Sequence, residues 1–393
     1  MVAPDSQIEN APEFKAKALD SDSRRSHIRL TWVLLILTIL LAANWFVLAT
    51  WNHFVGTRSI LWQIIPPGLT LTFVATTFLS LRYSNFWLRW AYRVSVIWLG
   101  VLNFSFFAAC VAWIFSAAAV LLPFHVDLRL MGLTFFGIAI LVSIYGLVNA
   151  NRLRLTKITV KLPGLPGEWR GRNVALVTDL HLGNVRGSGH SRRVVARLRS
   201  LQPDAVFISG DLFDGTTANL DALVAPWKKF STPEGIYFVT GNHEEFTDRT
   251  KFLDAVKSAG IRVLHNEKVE VCGLQIIGVH DGETDDPQLF RELLRQLELD
   301  RNRASILLAH QPSNLAIAEE AGISLQLSGH THGGQIWPWT LMASRIHGRF
   351  IYGLNRLGKL LVYTSSGAGT WGVPMRVGTR SEVVLICFEA TNS

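Results

Sequence analysis

Four strings far apart in the chain carry residues that do chemistry together. They are Asp179-Leu180-His181, Gly210-Asp211-Leu212-Phe213-Asp214, Gly241-Asn242-His243-Glu244 and Gly329-His330-Thr331-His332. His310 stands alone between the third and the fourth. Carboxylate, amide oxygen and imidazole in combination suit borderline to hard divalent cations such as Mn2+, Fe2+ or Zn2+. Asp179 and His181 are two apart, so both reach one cavity if the chain turns between them. Asp211 can bridge two ions with its two oxygens, Asn242 offers a neutral oxygen, and His310, His330 and His332 add imidazoles. These seven ligands for two cations leave room for a water and a substrate. A water shared by two cations is acidified toward neutrality and attacks phosphorus in line, while both cations hold the phosphate oxygens. His243 follows Asn242 and faces the leaving oxygen as general acid or charge stabiliser. Asp214, three residues after Asp211, is placed to orient the His243 ring.

The elements that must position these groups are short and apolar. Val174–Thr178 runs into Asp179, Ala205–Ser209 into Asp211, Ile236–Thr240 into Asn242, Ser305–Ala309 into His310 and Ser324–Ser328 into His330. Helical patterns lie between them at Ser191–Leu201, Arg249–Ala259 and Pro287–Leu297. The alternation predicts an α/β layered domain over 151–393, and in such sheets ligands gather at the carboxyl ends of strands. Leu360–Thr364 and Glu382–Phe388 read as further strands of a second sheet. His265, His280, His347, His53 and His125 close no such run and are expected to be bystanders.

The rest of the chain has another composition. Overall, 49% of residues are hydrophobic and 17% charged, with 13 tryptophans, but the apolar share is concentrated before Asn151. Four stretches, Leu30–Trp51, Ile60–Leu81, Val94–Leu122 and Leu130–Ala150, each reach the roughly 20 residues that cross a bilayer as a helix. Pro66-Pro67 is expected to kink the second or to start its helix. Residues 1–29 read as a disordered tail, and 30–150 as four membrane-spanning helices.

The net charge of +8 owes much to arginines and lysines beside these stretches. Arg24, Arg25 and Arg29 precede the first span. Arg82, Arg89 and Arg93 fill the second connection, and Arg152, Arg154, Lys157 and Lys161 follow the last span. The first connection holds only Arg58, and the third has Asp127 with Arg129. Basic loops stay inside, so the expectation is a multi-pass protein of the inner (plasma) membrane with a cytoplasmic C-terminal domain. No small-residue cleavage site follows Arg24-Arg25, which argues against an export signal. No basic stripe with interleaved aromatics suggests nucleic acid. Cys110, Cys272 and Cys387 are too scattered for a disulfide framework.

Taken together, Asp-x-His, Gly-Asp-x-x-Asp, Gly-Asn-His-Glu, His and Gly-His-x-His resemble the calcineurin-like metallophosphoesterases over roughly Lys157–Phe388. The resemblance implies a two-layer β-sandwich flanked by helices and a dinuclear site. It implies Asp179, His181 and His332 on the first metal, Asn242, His310 and His330 on the second, Asp211 between them, and His243 as the catalytic histidine. The extension Gly329–Gln335 and the later Ser366–Thr370 and Pro374-Met375-Arg376 are similar to a bacterial membrane-associated branch. That branch includes pyrophosphohydrolases of UDP-2,3-diacylglucosamine in lipid A synthesis, and Gln335 and Arg376 are expected to contact substrate. The chain departs from it at Ser365-Ser366-Gly367, where the branch often has Ser-Arg-Gly.

The reading is a membrane-anchored phosphodiesterase or pyrophosphatase acting on a lipid-linked or nucleotide-type phosphate. Trp337, Trp339 and Trp371, in loops near the ligands, either shelter an acyl chain or pack in the core. The alternative is a tethered phosphatase or nucleotidase acting on soluble substrates. A transporter or sensor ranks last, since the spans lack the intramembrane ionisable residues of a transport path. The residues do not specify the oligomeric state.

Overall fold

The apolar first third of the chain forms four long helices. They are α1 (Ala11–Val55), α2 (Ile60–Ser80), α3 (Phe86–Ala119) and α4 (Leu128–Asn151), and all four are long and apolar enough to cross a membrane. The computed structural model describes residues 11–56, 59–119, 125–216, 218–246 and 248–390. Arg58, the expected end of the third span at 120–122, and residues 1–10 of the expected tail lie outside the described residues. Residues 11–29, expected to be disordered, continue α1 instead. Once an apolar helix is nucleated each further residue adds one hydrogen bond, and the Ala, Lys, Arg and Leu of this stretch are good helix formers.

Two further expectations are corrected. The helix α2 runs through Pro66 and Pro67 from Ile60, neither starting nor stopping there, as membrane-type helices tolerate where the freed carbonyls find other partners. The helix α3 begins at Phe86, so Arg89 and Arg93 lie on its first two turns and not in a connection. Asp127 caps α4 by accepting from the Arg129 and Leu130 amides at 2.8 and 3.0 Å.

From Arg154 the chain builds two six-stranded mixed sheets. The strands are β1 (Arg154–Leu162), β2 (Asn173–Val177), β3 (Ala205–Ser209), β4 (Ile236–Val239), β5 (Arg262–Val263), β6 (Glu267–Val271), β7 (Leu274–Gly278), β8 (Ser305–Leu308), β9 (Leu325–Ser328), β10 (Gly353–Leu357), β11 (Leu360–Thr364) and β12 (Glu382–Ala390). The first sheet has the order β1-β12-β2-β3-β4-β5, and the second β10-β11-β9-β8-β7-β6. The helices α5 (Ser188–Leu201), α6 (Leu220–Val224), α7 (Asn242–Glu245), α8 (Thr250–Ser258), α9 (Asp281–Asp285), α10 (Pro287–Gln296), α11 (Leu315–Ala321) and α12 (Trp339–His347) complete the domain.

Period-two alternation sorts the strand residues into layers. Val174, Leu176, Phe207, Tyr237, Ile306, Leu308, Leu325, Tyr363 and Ile386 pack between the sheets. Ala175, Val177, Val206, Ile208 and Phe238 face outward onto α5 and α8, and Ile277, Leu307 and Val362 face α10 and α11. Both faces of the central strands β3, β4, β8 and β9 are buried, which explains why they read as continuous apolar runs. The expected two-sheet α/β layering over four apolar helices is the observed fold.

The bundle and the domain share a packed contact. Phe104 and Ala139 cluster with Ile336 and Met375. The Asn149 side-chain amide donates to the Arg376 and Thr379 carbonyls at 2.9 Å each, and the Arg376 amide donates back to the Gly146 carbonyl at 3.0 Å.

Candidate metal centre

The strands β2, β3, β4, β8 and β9 end on the same rim of the sandwich, and each delivers its polar residue there. At that rim the backbone is forced into an unusual conformation. Asp179, His181, Asp211, His330 and His332 have φ of 53, 48, 51, 67 and 50°. Left-handed backbone at a residue other than glycine costs on the order of 1–3 kcal/mol and is tolerated best by Asp, Asn and His. These turns let Asp179 and His181 reach one cavity although only two residues separate them. Gly210 is required at φ +82°, since a Cβ there would lie 2.5 Å from His310 Nδ1. At Gly329 a Cβ would lie 1.9 Å from Thr178 Oγ1 and 2.2 Å from Asp179 Oδ2.

The side chains converge closely. His181 Nε2 is 3.0 Å from His332 Nε2, 3.9 Å from Asp179 Oδ1 and 3.7 Å from Asp211 Oδ2. His332 Nε2 is 3.5 Å from Asp179 Oδ1, and His310 Nε2 is 3.2 Å from Asp211 Oδ2. His330 Nδ1 lies 3.0 Å from Asn242 Oδ1. Three overlapping groups, Asp179–His181–His332, His181–Asp211–His243 and Asp179–Asp211–His310, could each hold a cation. Asp211 joins two of them to the His310 side, and all seven expected ligands come together at one centre.

The electrostatics differ from one expected ligand to another. Burial, opposed by Asp211 and reinforced by His243 and His332, holds His181 well below its ordinary pKa. Burial and Arg376 do the same to His332, and burial with His310 takes His330 down to about 4. Burial thus favours the neutral form of these rings, the form that offers a metal a lone pair. Burial opposes ionisation of Asp211, but His310 and the other histidines outweigh it and hold the carboxylate below its usual range. Asp211 correspondingly lifts His310 well above its ordinary value, against the effect of burial. The His310 Nδ1–H donates to the Ser209 carbonyl at 2.8 Å, which fixes the tautomer and leaves Nε2 facing Asp211. Two carboxylates, an amide oxygen and four imidazoles packed this tightly and this deeply fit a pair of divalent cations.

His243 sits beside the ligands, its ring 4.7 Å from that of His181 and its backbone N–H donating to Asp211 Oδ1 at 3.0 Å. Its Nδ1–H donates to the carbonyl of Asp214 at 3.1 Å. This corrects the expected role of the Asp214 carboxylate. That carboxylate instead accepts from the Asn184 amide at 2.8 Å and from Thr216, because the loop turns its side chain away from the ring. Burial raises the Asp214 pKa.

Two more expectations change. Arg376 is fully buried, with its guanidinium turned onto backbone carbonyls. Its guanidinium donates to the carbonyls of His332 and Gly369 and reaches that of Ser366, with Nη2 3.2 Å from His332 Nδ1. Burial takes it down to about 9. Gln335 likewise spends its amide on the 371–373 backbone, donating to the Trp371 and Val373 carbonyls at 3.0 Å each and accepting from the Trp371 amide at 2.8 Å. Both are clamps for the loops around the site. Trp337, Trp339 and Trp371 are 47, 54 and 62% exposed, so none belongs to the core. The Trp371 ring lies 6.4 Å from that of His243, the Trp337 ring 5.8 Å from that of Phe107 of α3 in a tilted arrangement, and Trp339 Nε1 donates to Asn103 Oδ1 of α3 at 2.9 Å.

Two buried acids have no counterpart among the expected site residues. Glu244 accepts the Asp211, Phe213 and Gly241 amides at 3.0, 2.8 and 2.8 Å, locking two ligand loops together, and burial with Asp211 raises it to about 8. Its position in Gly-Asn-His-Glu was the available signal. Glu382 accepts from Ser365 Oγ, the Ser366 amide and Tyr352 OH at 3.0, 3.1 and 3.0 Å. It holds the loop whose Ala368 and Gly369 amides brace Thr178 and Asp179, and nothing in its strand pattern announced it. His347 approaches the site with its ring 6.3 Å from that of His330, whereas His265 and His280 pair with each other elsewhere, at 3.2 Å.

Residues 172–334 match the model of the calcineurin-like phosphoesterase family. An uncharacterized metallophosphoesterase of Aquifex aeolicus is 33% identical over 259 residues, covering 63% of this chain and 97% of the relative. The chain belongs to the calcineurin-like phosphoesterase family. Among other metallophosphoesterases, a transmembrane protein with metallophosphoesterase domain from Danio rerio is 32% identical over 63% of this chain and 60% of its own length. An uncharacterized metallophosphoesterase of Campylobacter jejuni is 32% identical over 62% of this chain and 66% of the relative. The chain thus spans less than two thirds of the Danio rerio and Campylobacter jejuni metallophosphoesterases.

Proposed function

We propose that the protein is a membrane-anchored metal-dependent phosphoesterase that hydrolyses a phosphodiester or pyrophosphate bond in an amphipathic, lipid-linked substrate. The observation that carries the lipid part is the exposed aromatic ridge beside the site. Trp371 borders His243, Trp337 and Trp339 rest on α3, and α12 has no buried residue, leaving Leu341, Met342 and Ile346 open. Exposed apolar surface of this extent next to polar chemistry marks a contact site, and here it is continuous with helices long enough to span a bilayer.

In this reading Asp179, His181 and His332 would hold one cation and Asn242, His310 and His330 the other, with Asp211 available to both. The bound pair would supply Lewis acidity, making water nucleophilic near neutral pH and neutralising phosphoryl charge. His243, with Nδ1 tied to the Asp214 carbonyl, presents Nε2 to the leaving oxygen and gives it a proton. Glu244, Arg376 and Glu382 hold the ligand loops against the strain of their left-handed turns. The domain lies on the cytoplasmic side, supported by Arg82, Arg89 and Arg93 and by the basic stretch from Arg152 to Lys161 at the same end of the bundle.

The test is turnover by the detergent-purified chain of a short aryl phosphodiester, a mononucleotide, a phospholipid and UDP-2,3-diacylglucosamine, with Mn2+, Fe2+ or Zn2+ added to metal-free protein. A lipid-linked substrate is expected to give the highest kcat/KM. Replacing Trp337, Trp339 and Trp371 by Ala is expected to raise KM for it and spare the short ester. Equal loss on both would reject the lipid contact and favour a soluble substrate.

A further inference from the structure

A second cavity lies away from the metal centre, where the membrane bundle meets the domain. Its volume is about 460 Å³, and Arg89 and Arg93 of α3, Asn151 at the end of α4, and Arg186, His190 and Arg193 line it. Its described lining includes no aspartate or glutamate. None of the four arginines has a carboxylate within ion-pair distance among the described residues. Four unneutralised guanidinium groups around one cavity repel each other. Burial, followed by the charges of Arg193 and Arg93, pushes even Arg186 down to about 10.

The arginines are held in place by neutral partners. Arg186 is buried and donates to Asn151 Oδ1 at 2.7 Å and to the Ala150 carbonyl at 3.3 Å. Arg93 donates to the Asn184 carbonyl at 2.7 Å, while Arg193 is exposed and reaches His190 Nδ1 at 3.3 Å. The first turn of α5, at Ser188 and Gly189, also lines the cavity, and no side chain caps it. Free N–H groups at a helix start add positive potential to that of the arginines.

The depth of the cavity narrows the choice of anion. Arg89 and Arg93 are one turn apart on α3 and lie beside the exposed rings of Tyr83, Phe86, Trp87 and Trp90. Exposed aromatic rings at the end of an apolar helix settle at the headgroup level of a bilayer. A basic pocket at that level, between membrane helices and a domain, suits a phospholipid headgroup.

We infer that this arginine-lined cavity is a binding site for the phosphate of an anionic phospholipid from the leaflet facing the domain, separate from the catalytic centre. The loop from His181 to Gly187 has a ligand of the metal centre at one end and the cavity at the other, so an occupied cavity would steady that loop. The inference does not depend on the catalytic reading.

The test titrates the delipidated full chain in neutral detergent, by native mass spectrometry, with phosphatidylglycerol and with phosphatidylcholine. A further arm adds inorganic phosphate as competitor. A saturable phosphatidylglycerol adduct is expected, with phosphatidylcholine weaker. The Arg89→Gln/Arg93→Gln pair is expected to weaken the adduct by at least about tenfold, the loss of one charge-assisted hydrogen bond, and the Arg89→Lys/Arg93→Lys pair to retain much of it. Equal binding by wild type and the glutamine pair, or equal binding of the two lipids, would overturn the site. Full displacement by inorganic phosphate would overturn the lipid as occupant. If the glutamine pair does not fold, Arg193→Gln, outside the bundle, is read the same way. Aryl phosphodiester turnover in the same preparations reports the metal centre separately: a lipid adduct without turnover would count against the catalytic reading and leave this one intact.

Discussion

His243 differs from its neighbours because its Nδ1 is bound to a backbone carbonyl and its ring packs edge-on against that of His181. Its change to Ala is expected to lower turnover by about 10²- to 10⁴-fold, the usual range for a general acid or base, with metal content by mass spectrometry unchanged. Asn242→Ala is expected to do the reverse and release one cation. Arg376→Met removes the group that braces His332 and the 366–369 backbone, so its expected effect is weaker metal binding, with KM at saturating metal near wild type. A rise in KM at full metal occupancy would return Arg376 to substrate contact. Other buried histidines act on stability. Burial is the largest cause holding His190 near 3 and His280 near 4, against roughly 6.5 in an unfolded chain. Between those values the unfolded state binds more protons, so stability is complete above about 6.5 and falls as pH drops through this window. Thermal melts of the purified chain from pH 7.5 down to 5 are expected to show it, and His280→Asn to flatten the slope.

Elements meet where α3 and α4 carry glycines against the loop that surrounds the site. A Cβ at Gly146 would lie 3.0 Å from Val377 and 3.2 Å from Met375; at Gly100 it would lie 2.5 Å from the Met375 sulfur. Met375 is flexible and gives way, but at Gly146 the neighbouring atoms include a Cβ, which moves only with the backbone. Gly146→Val is therefore expected to cost about 1–3 kcal/mol, as overpacking does. It should also speed proteolysis of the 371–379 loop, since Arg376 and Thr379 are hydrogen-bonded to the same helix turn. A melting temperature and cleavage rate equal to wild type would mean that the bundle and the domain are mechanically independent.

At the scale of the molecule, the arginine-lined cavity meets the first turns of α3 at Arg89 and Arg93, while the aromatic ridge reaches Asn103 and Phe107 about midway along the same helix. The apolar helices therefore do more than lead into the domain: α3 supplies Asn103 and Phe107 to the ridge and Arg89 and Arg93 to the cavity. A reporter fused after Ser393 is expected to be inaccessible from outside intact cells; labelling there without permeabilisation would invert the topology and rule out an inner-leaflet substrate.

The sequence by itself brought out the seven expected ligands, because each lies at or within a few residues of the end of a run buried on both faces, and such runs are legible without an alignment. It also determined the four apolar helices, because spanning length and absence of charge are local properties. Tertiary structure decided which polar residues face the cavity and which support it. Gln335, Asp214 and Arg376 have the composition of site residues, but the loops turn their functional groups onto backbone. Glu244 and Glu382 look like surface acids until the fold buries them among amide donors. Arg89 and Arg186 are 97 positions apart, and only the docking of the domain on its own apolar helices makes them walls of one cavity. Burial and orientation depend on contacts between distant segments, and no local pattern encodes them.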